Sequence, residues 1–121
     1  MSSRIGSIAV ENDLKIAFED FNITAKKPLT IICLPSLGDR RQEYRFLNTY
    51  FIEKGYRVLN VDHRGIGESD VGFSSYKPED CAQDVIALID KEIKSEEKVL
   101  LIGNSFGKQI IPIFEVFSYH M

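Results

Sequence analysis

Gly103-Asn104-Ser105-Phe106-Gly107 sets one serine between two glycines, directly after the apolar run Val99 to Ile102. Such a run has the length and type of a strand buried on both faces. If the chain turns sharply from that strand into a helix, Ser105 is forced into a strained backbone conformation and its hydroxyl is lifted clear of the sheet, where it can act as a nucleophile. Glycine is then needed at 103 and 107, because a side chain at either position would strike neighbouring backbone. The helix that follows aims its N-terminus, and the N–H of Phe106, at negative charge developing beside Ser105. That is the equipment of acyl transfer. The plainer alternative is a Gly-Ser turn, and the apolar strand ahead of it favours the reactive reading.

A serine hydroxyl is a weak nucleophile at neutral pH unless a base stands within about 3 Å to take its proton. The histidines are His63 and His120. His63 reads as an ordinary loop residue. His120 lies fifteen positions past Ser105, about 22 Å away along a continuous helix. Asp62, Asp70, Asp80 and Asp84 are candidate acids, and each also has a loop or helix-start explanation.

The elements that must position these groups belong to one domain, residues 1–121, with 44% hydrophobic and 27% charged residues. A chain of this size buries roughly two-thirds of its unfolded surface. A net charge of −3 leaves no electrostatic footprint for nucleic acid or acidic lipid. Arg40, Arg41 and Arg45 cluster, but Asp39 and Glu43 interleave them, which predicts a solvated helix start rather than an anion site. Cys33 and Cys81 sit in apolar-patterned segments and read as buried thiols of a reducing compartment. Neither has a second ligand at metal spacing, so no metal is expected. No cofactor is implied either. Gly65-Ile66-Gly67 lacks the third glycine of a dinucleotide fingerprint, with Asp70 in its place. Gly107-Lys108 lacks the earlier glycine and the Ser or Thr of a phosphate loop, which are Ile102 and Gln109 here. The N-terminus has no signal-type apolar region and no run approaches a membrane span, so a cytoplasmic location is expected.

In chain order, Ile5–Val10 and Leu14–Phe21 predict a hairpin about Glu11-Asn12-Asp13. Leu29–Leu34 predicts a buried parallel strand, followed by a loop punctuated by Pro35 and Gly38. Gln42–Lys54 predicts a helix with Tyr44, Leu47, Tyr50 and Phe51 on its inner face, stopped by Gly55. Arg57–Val61 is the next strand, and Asp62–Asp70 a turn-rich surface loop. Pro78 opens a helix whose buried stripe is Cys81, Val85, Leu88, Ile89 and Ile93. Alternation of strand and helix after an opening hairpin argues for an α/β domain with a mainly parallel sheet flanked by helices.

Four segments together resemble the signatures of the α/β-hydrolase fold superfamily. They are Leu34-Pro35-Ser36-Leu37-Gly38-Asp39, Glu43-Tyr44-Arg45, Asp62-His63-Arg64-Gly65-Ile66-Gly67-Glu68-Ser69, and Gly103-Asn104-Ser105-Phe106-Gly107. Their order and spacing match its N-terminal half over about residues 14–107. The resemblance implies a three-layer sandwich, Ser105 as nucleophile, and the backbone N–H groups of Phe106 and Leu37 as oxyanion donors. It makes Asp62–Asp70 a structural turn without a catalytic role. In the superfamily's strand order, the strand before His63 lies two strands from the one before Ser105, so about 9–10 Å away.

The departures are equally informative. Pro35-Ser36 stands where many members have His-Gly. Lys108 and Gln109 follow Gly107 where a small residue is usual, and Pro112 should break or kink the helix. Residues 108–121 therefore form an atypical tail. The resemblance ends at Gly107, which implies a fold truncated after the elbow, without the superfamily's catalytic histidine and acid. The expected function is the N-terminal portion of a serine hydrolase for small acyl substrates (esters, thioesters or amides), inactive alone. The alternative is a non-catalytic truncated or frameshifted product that self-associates, or is completed by another chain. The strand at 98–102 would then be an exposed edge guarded only by Lys98.

Overall fold

The computed structural model describes residues 3–22, 24–36 and 38–118, with side chains as far as Ile113. The strands are β1 (Ser3–Ala9), β2 (Lys15–Phe21), β3 (Leu29–Leu34), β4 (Arg57–Val61) and β5 (Lys98–Gly103). The helices are α1 (Arg45–Glu53), α2 (Pro78–Glu92) and α3 (Phe106–Ser118), with short 3-10 turns at Glu11–Asp13 and Arg41–Tyr44. The strands form one sheet in the order β1-β2-β4-β3-β5. The hairpin β1–β2 and the β2–β4 pair are antiparallel. The pairs β4–β3 and β3–β5 are parallel, which requires crossovers and brings the ends of all three strands to one side.

Helices α2 and α3 cover one face. Their core includes Ile16, Phe18, Ile32, Leu34, Leu59, Val61, Cys81, Val85, Leu88 and Ile110, with Val99 and Leu101 packed against it. Among the described residues, α1 is the helix that covers the other face, over the smaller cluster of Ile31, Cys33, Tyr44 and Val58, with Phe51, Ile52 and Ile102 at its border. The two cysteines are free and buried on opposite sides of the sheet.

Several expectations are corrected here. The inner face of α1 is Tyr44, Asn48, Phe51 and Ile52, whereas Leu47 and Tyr50 face solvent, Tyr50 at 57% exposure. The initial turn at Arg41–Tyr44 is 3-10, and its tighter winding rotates the following stripe relative to an α-helix begun at Gln42. Strand β5 is not buried on both faces: it lies at the sheet's edge with Leu100 45% exposed. Leu100 pairs with Ile31, so it projects on the α1 side, and the short α1 leaves it uncovered. Finally, Pro112 does not end α3, which runs six residues beyond it. Pro112 and Lys108 are both exposed, so the Lys108 carbonyl left without its usual N–H partner can be hydrated.

Candidate active site

Strand β5 ends at Gly103 and α3 begins at Phe106, so the whole reversal is made by Asn104 and Ser105. Ser105 has φ +57°, a left-handed conformation that costs a residue with a side chain about 1–2 kcal/mol. The flanking glycines show why the turn is this tight. A Cβ at Gly103 would lie 2.5 Å from the carbonyl carbon of Gly107, and one at Gly107 would lie 2.3 Å from the Leu34 carbonyl oxygen. The pair lets α3 lie directly against β5 and β3. The Gly107 N–H donates to the Asn104 carbonyl at 3.1 Å and closes the turn. Asn104 and Ser105 are exposed, while Phe106 and Ile110 are buried. The elbow therefore holds the hydroxyl in solvent and anchors the very next side chain in the core. The first N–H groups of α3 have no partner within the helix and face outward from its start.

The loop after β3 lies beside this elbow. Strands β3 and β5 are parallel neighbours whose ends align, Leu34 opposite Gly103. Ser36 Oγ donates to the Asn104 carbonyl at 3.4 Å, and the Ser36 N–H donates to Glu43 Oε1 at 2.7 Å. Tyr44 donates its hydroxyl to the Leu34 carbonyl at 2.8 Å. Burial and the neighbouring Glu43 charge push the Tyr44 phenol upward, and the Asn104 N–H near its oxygen works the other way. Leu37, the expected second oxyanion donor, lies outside the described residues, as does His120.

The loop after β4 is built differently. It is a surface loop with a buried root: Asp62, His63, Arg64 and Ser69 are all below 10% exposure, while Gly67, Glu68 and Asp70 are exposed. Asp62 accepts from the Arg41 N–H, the Arg41 guanidinium at 2.6 Å and the Glu68 N–H. A Cβ at Gly67 would lie 2.5 Å from the Asp62 carboxyl carbon, so only glycine leaves room for that group. Asp84 takes two hydrogen bonds from Arg64, which also donates to the Ser75 carbonyl. Asp70 accepts from the Lys15 N–H, and Asp80 from the Lys77 N–H at the start of α2. All four candidate acids are thus engaged in structure. Arg41 corrects the expectation of a solvated helix start, for it is 4% exposed and pairs with Asp62, Glu19 and Glu68.

His63 is buried beneath the elbow. Its ring meets Phe106 edge to face with centroids 5.4 Å apart, and among the described residues neither ring nitrogen has a hydrogen-bond partner, Ser105 Oγ included. Burial lowers its pKa to about 4, against the opposing pull of Asp62 and the Pro35 carbonyl. It is a neutral core imidazole rather than a base in contact with Ser105.

Reasoning from sequence missed the part played by the 3-10 turn. Arg41, Glu43 and Tyr44 tie together the β4 loop, the β3 loop and the β3 strand end, respectively. The signal was a charged and aromatic cluster directly after a Pro/Gly loop. Its partners are 7 to 27 residues away in sequence, beyond the reach of local pattern.

No family model matches the chain. It is 31% identical over 86 residues to an uncharacterized 31.7 kDa protein of Escherichia coli from the traX–finO intergenic region, a match covering 68% of this chain and 30% of that protein. Among solved structures, an epoxide hydrolase variant of Vigna radiata superposes with a TM-score of 0.80 at 22% identity, over 96% of this chain and 35% of that one. An α/β hydrolase of Novosphingobium aromaticivorans gives 0.81 at 24%, over 95% and 40%. Mouse α/β hydrolase domain-containing protein 10 gives 0.75 at 18%, over 89% and 42%. The chain spans 30% of the curated relative's length and 35–42% of these structures.

Proposed function

From the α/β-hydrolase fold as premise, we propose that this chain is the nucleophile-bearing N-terminal portion of a serine hydrolase acting on esters, thioesters or amides of small molecules. Ser105 Oγ bonds to the acyl carbon as its O–H bond breaks and the proton passes to a base from outside the described residues, and the carbonyl π pair moves onto oxygen. The Phe106 and Leu37 N–H groups hold that oxyanion. Collapse of the tetrahedral species expels the alcohol, thiol or amine with a proton, and water then releases the acid from the acyl-serine. The observation that carries this reading is the φ of +57° at an exposed Ser105, held between glycines pressed against backbone.

Among the described residues no imidazole reaches Ser105, so the 121-residue chain is expected to turn over no substrate by itself. Two measurements test the reading. Phenylboronic acid should condense with Ser105 Oγ, losing one water, and give an 11B resonance absent in Ser105→Ala. Its absence in the wild type would remove the nucleophile. Short-chain p-nitrophenyl esters should hydrolyse equally slowly with wild type and Ser105→Ala, and a rate dependent on Ser105 would show a base within the chain. A second, non-catalytic reading is favoured by the exposed edge at β5: self-association through that strand. Light scattering at micromolar concentration, with Leu100→Lys for comparison, decides it, and a monodisperse 13.8 kDa monomer would exclude it.

A further inference from the structure

Leu34, the last residue of β3, is followed by proline, so the Leu34–Pro35 peptide carries no N–H and its carbonyl is the one polar handle by which it can be held. That carbonyl lies at the elbow. Leu34 is the parallel partner of Gly103, and a Cβ at Gly107 would stand 2.3 Å from its oxygen and 3.0 Å from its carbonyl carbon. The first turn of α3 therefore rests on this group. The same oxygen accepts the Tyr44 hydroxyl at 2.8 Å, in a buried setting. We propose that Tyr44 is the positioning residue of the elbow: its hydroxyl fixes the Leu34 carbonyl, Gly107 seats on that carbonyl, and the seat sets where Ser105 stands over the end of the sheet. That the residue so positioned is a nucleophile rests on the serine-hydrolase reading above. The brace itself does not.

The elbow needs support from outside itself. Ser105, at φ +57°, is strained, and a strained residue persists only where its surroundings over-determine it. Within the turn, the Gly107 N–H donates to the Asn104 carbonyl at 3.1 Å and the Gln109 N–H to the Ser105 carbonyl at 3.3 Å, but both bonds move with α3. From the β3 side the Ser36 hydroxyl also reaches the Asn104 carbonyl, at a long 3.4 Å and exposed to water. The Tyr44 bond is shorter and buried, and its donor is firmly carried. Tyr44 is 7% exposed, packs with Ile31, Cys33 and Val58, and closes a 3-10 turn that Arg41 ties to the buried Asp62. Burial and the Glu43 charge push the phenol upward, so it keeps its proton and remains a donor at neutral pH. Tyr44 acts on Ser105 only through Leu34 and Gly107, so it positions and does not catalyse.

The test uses the full chain with Tyr44→Phe, which removes the hydroxyl and keeps the ring. Ile8→Val, in the core at the opposite edge of the sheet, is the control for a comparable loss of stability. Amide hydrogen exchange at Gly107 should accelerate about tenfold more in Tyr44→Phe than in Ile8→Val. Affinity for phenylboronic acid should weaken about tenfold in Tyr44→Phe and hold in Ile8→Val. Equal acceleration at Gly107 in the two variants would overturn the brace. Faster exchange there with undiminished boronate affinity would overturn its hold on Ser105. A wild type that binds no boronate would remove the serine reading, and exchange at Gly107 would then decide the brace alone.

Discussion

Two turns leave the same end of the sheet, one after β4 and one after β5, and they are held by opposite means. The turn after β4 is filled with charge. Asp62, Arg64 and Ser69 are buried, each with partners, and Arg41 and Asp84 complete the network from outside the loop. It is also sewn onto β2 by the Asp62 N–H to Ala17, Ser69 Oγ to the Ala17 N–H, and Asp70 in both directions to Lys15. The turn after β5 contains no charged side chain. Absence of Cβ at Gly103 and Gly107 sets its shape, and one left-handed residue closes it. Side-chain networks consume the charged groups that compose them, and His63, which the network leaves unpaired, is kept neutral by burial. A turn set by steric exclusion leaves its one functional group free. The difference explains how a buried run of Asp, His and Arg can be inert while an exposed serine nearby is the chemical candidate.

The comparison breaks most severely at Gly107. A valine there would drive Cβ into the Leu34 carbonyl, and Gly107→Val should lose about 3 kcal/mol or more in chemical denaturation. If Gly107→Val folded with wild-type stability, the steric account of the elbow would be wrong. Next is Asp62→Ala, which strips the buried Arg41 of its shortest partner. A cost of about 3 kcal/mol is expected, moderated because Glu19 and Glu68 still face Arg41. A cost below about 1 kcal/mol would show that the charges on the β4 side are interchangeable.

His63 links the two turns and gives the comparison a pH axis. The unfolded imidazole takes a proton near 6.5, whereas the folded one holds out to about 4. Protonation therefore favours unfolding, and stability should fall as pH drops from 6.5 towards 4, at up to about 1.4 kcal/mol per pH unit, levelling off below. The ring faces Asp62 and Phe106. His63→Phe should flatten that segment of the pH–stability curve, and a curve of undiminished slope would assign the acid sensitivity elsewhere. The smallest effect should be a gain. Ser105→Gly relieves the left-handed strain and should stabilise the fold by about 1 kcal/mol while abolishing boronate binding. A loss of stability would mean that the hydroxyl is structural.

Local chemistry made much of this architecture readable. Leu29–Leu34, Arg57–Val61 and Pro78–Glu92 are strongly patterned, and their ends carry Pro, Gly or acidic signals that act within a few residues. The elbow was legible for the same reason, since the residues that form it, 103 to 107, are contiguous, although the backbone that demands glycine at 107 is that of Leu34. What local pattern could not show were the pairings made across the fold. Arg41 looked solvated because its carboxylate partner lies 21 residues on. His63 looked like a loop residue because its burial depends on Phe106, 43 residues later. Pro112 looked like a stop because periodicity does not say which side of a helix meets water.

Cys33 and Cys81 carry a practical consequence. Both thiols are shut away, one under α1 and the other on α2, and burial pushes each pKa up to about 12. The folded chain should be silent to iodoacetamide at neutral pH, since only an exposed thiolate reacts. Alkylation then reports opening events, and because the two sulfurs sit on opposite sides of the sheet, peptide mapping of a timed pulse would record separately when each side first lets solvent in.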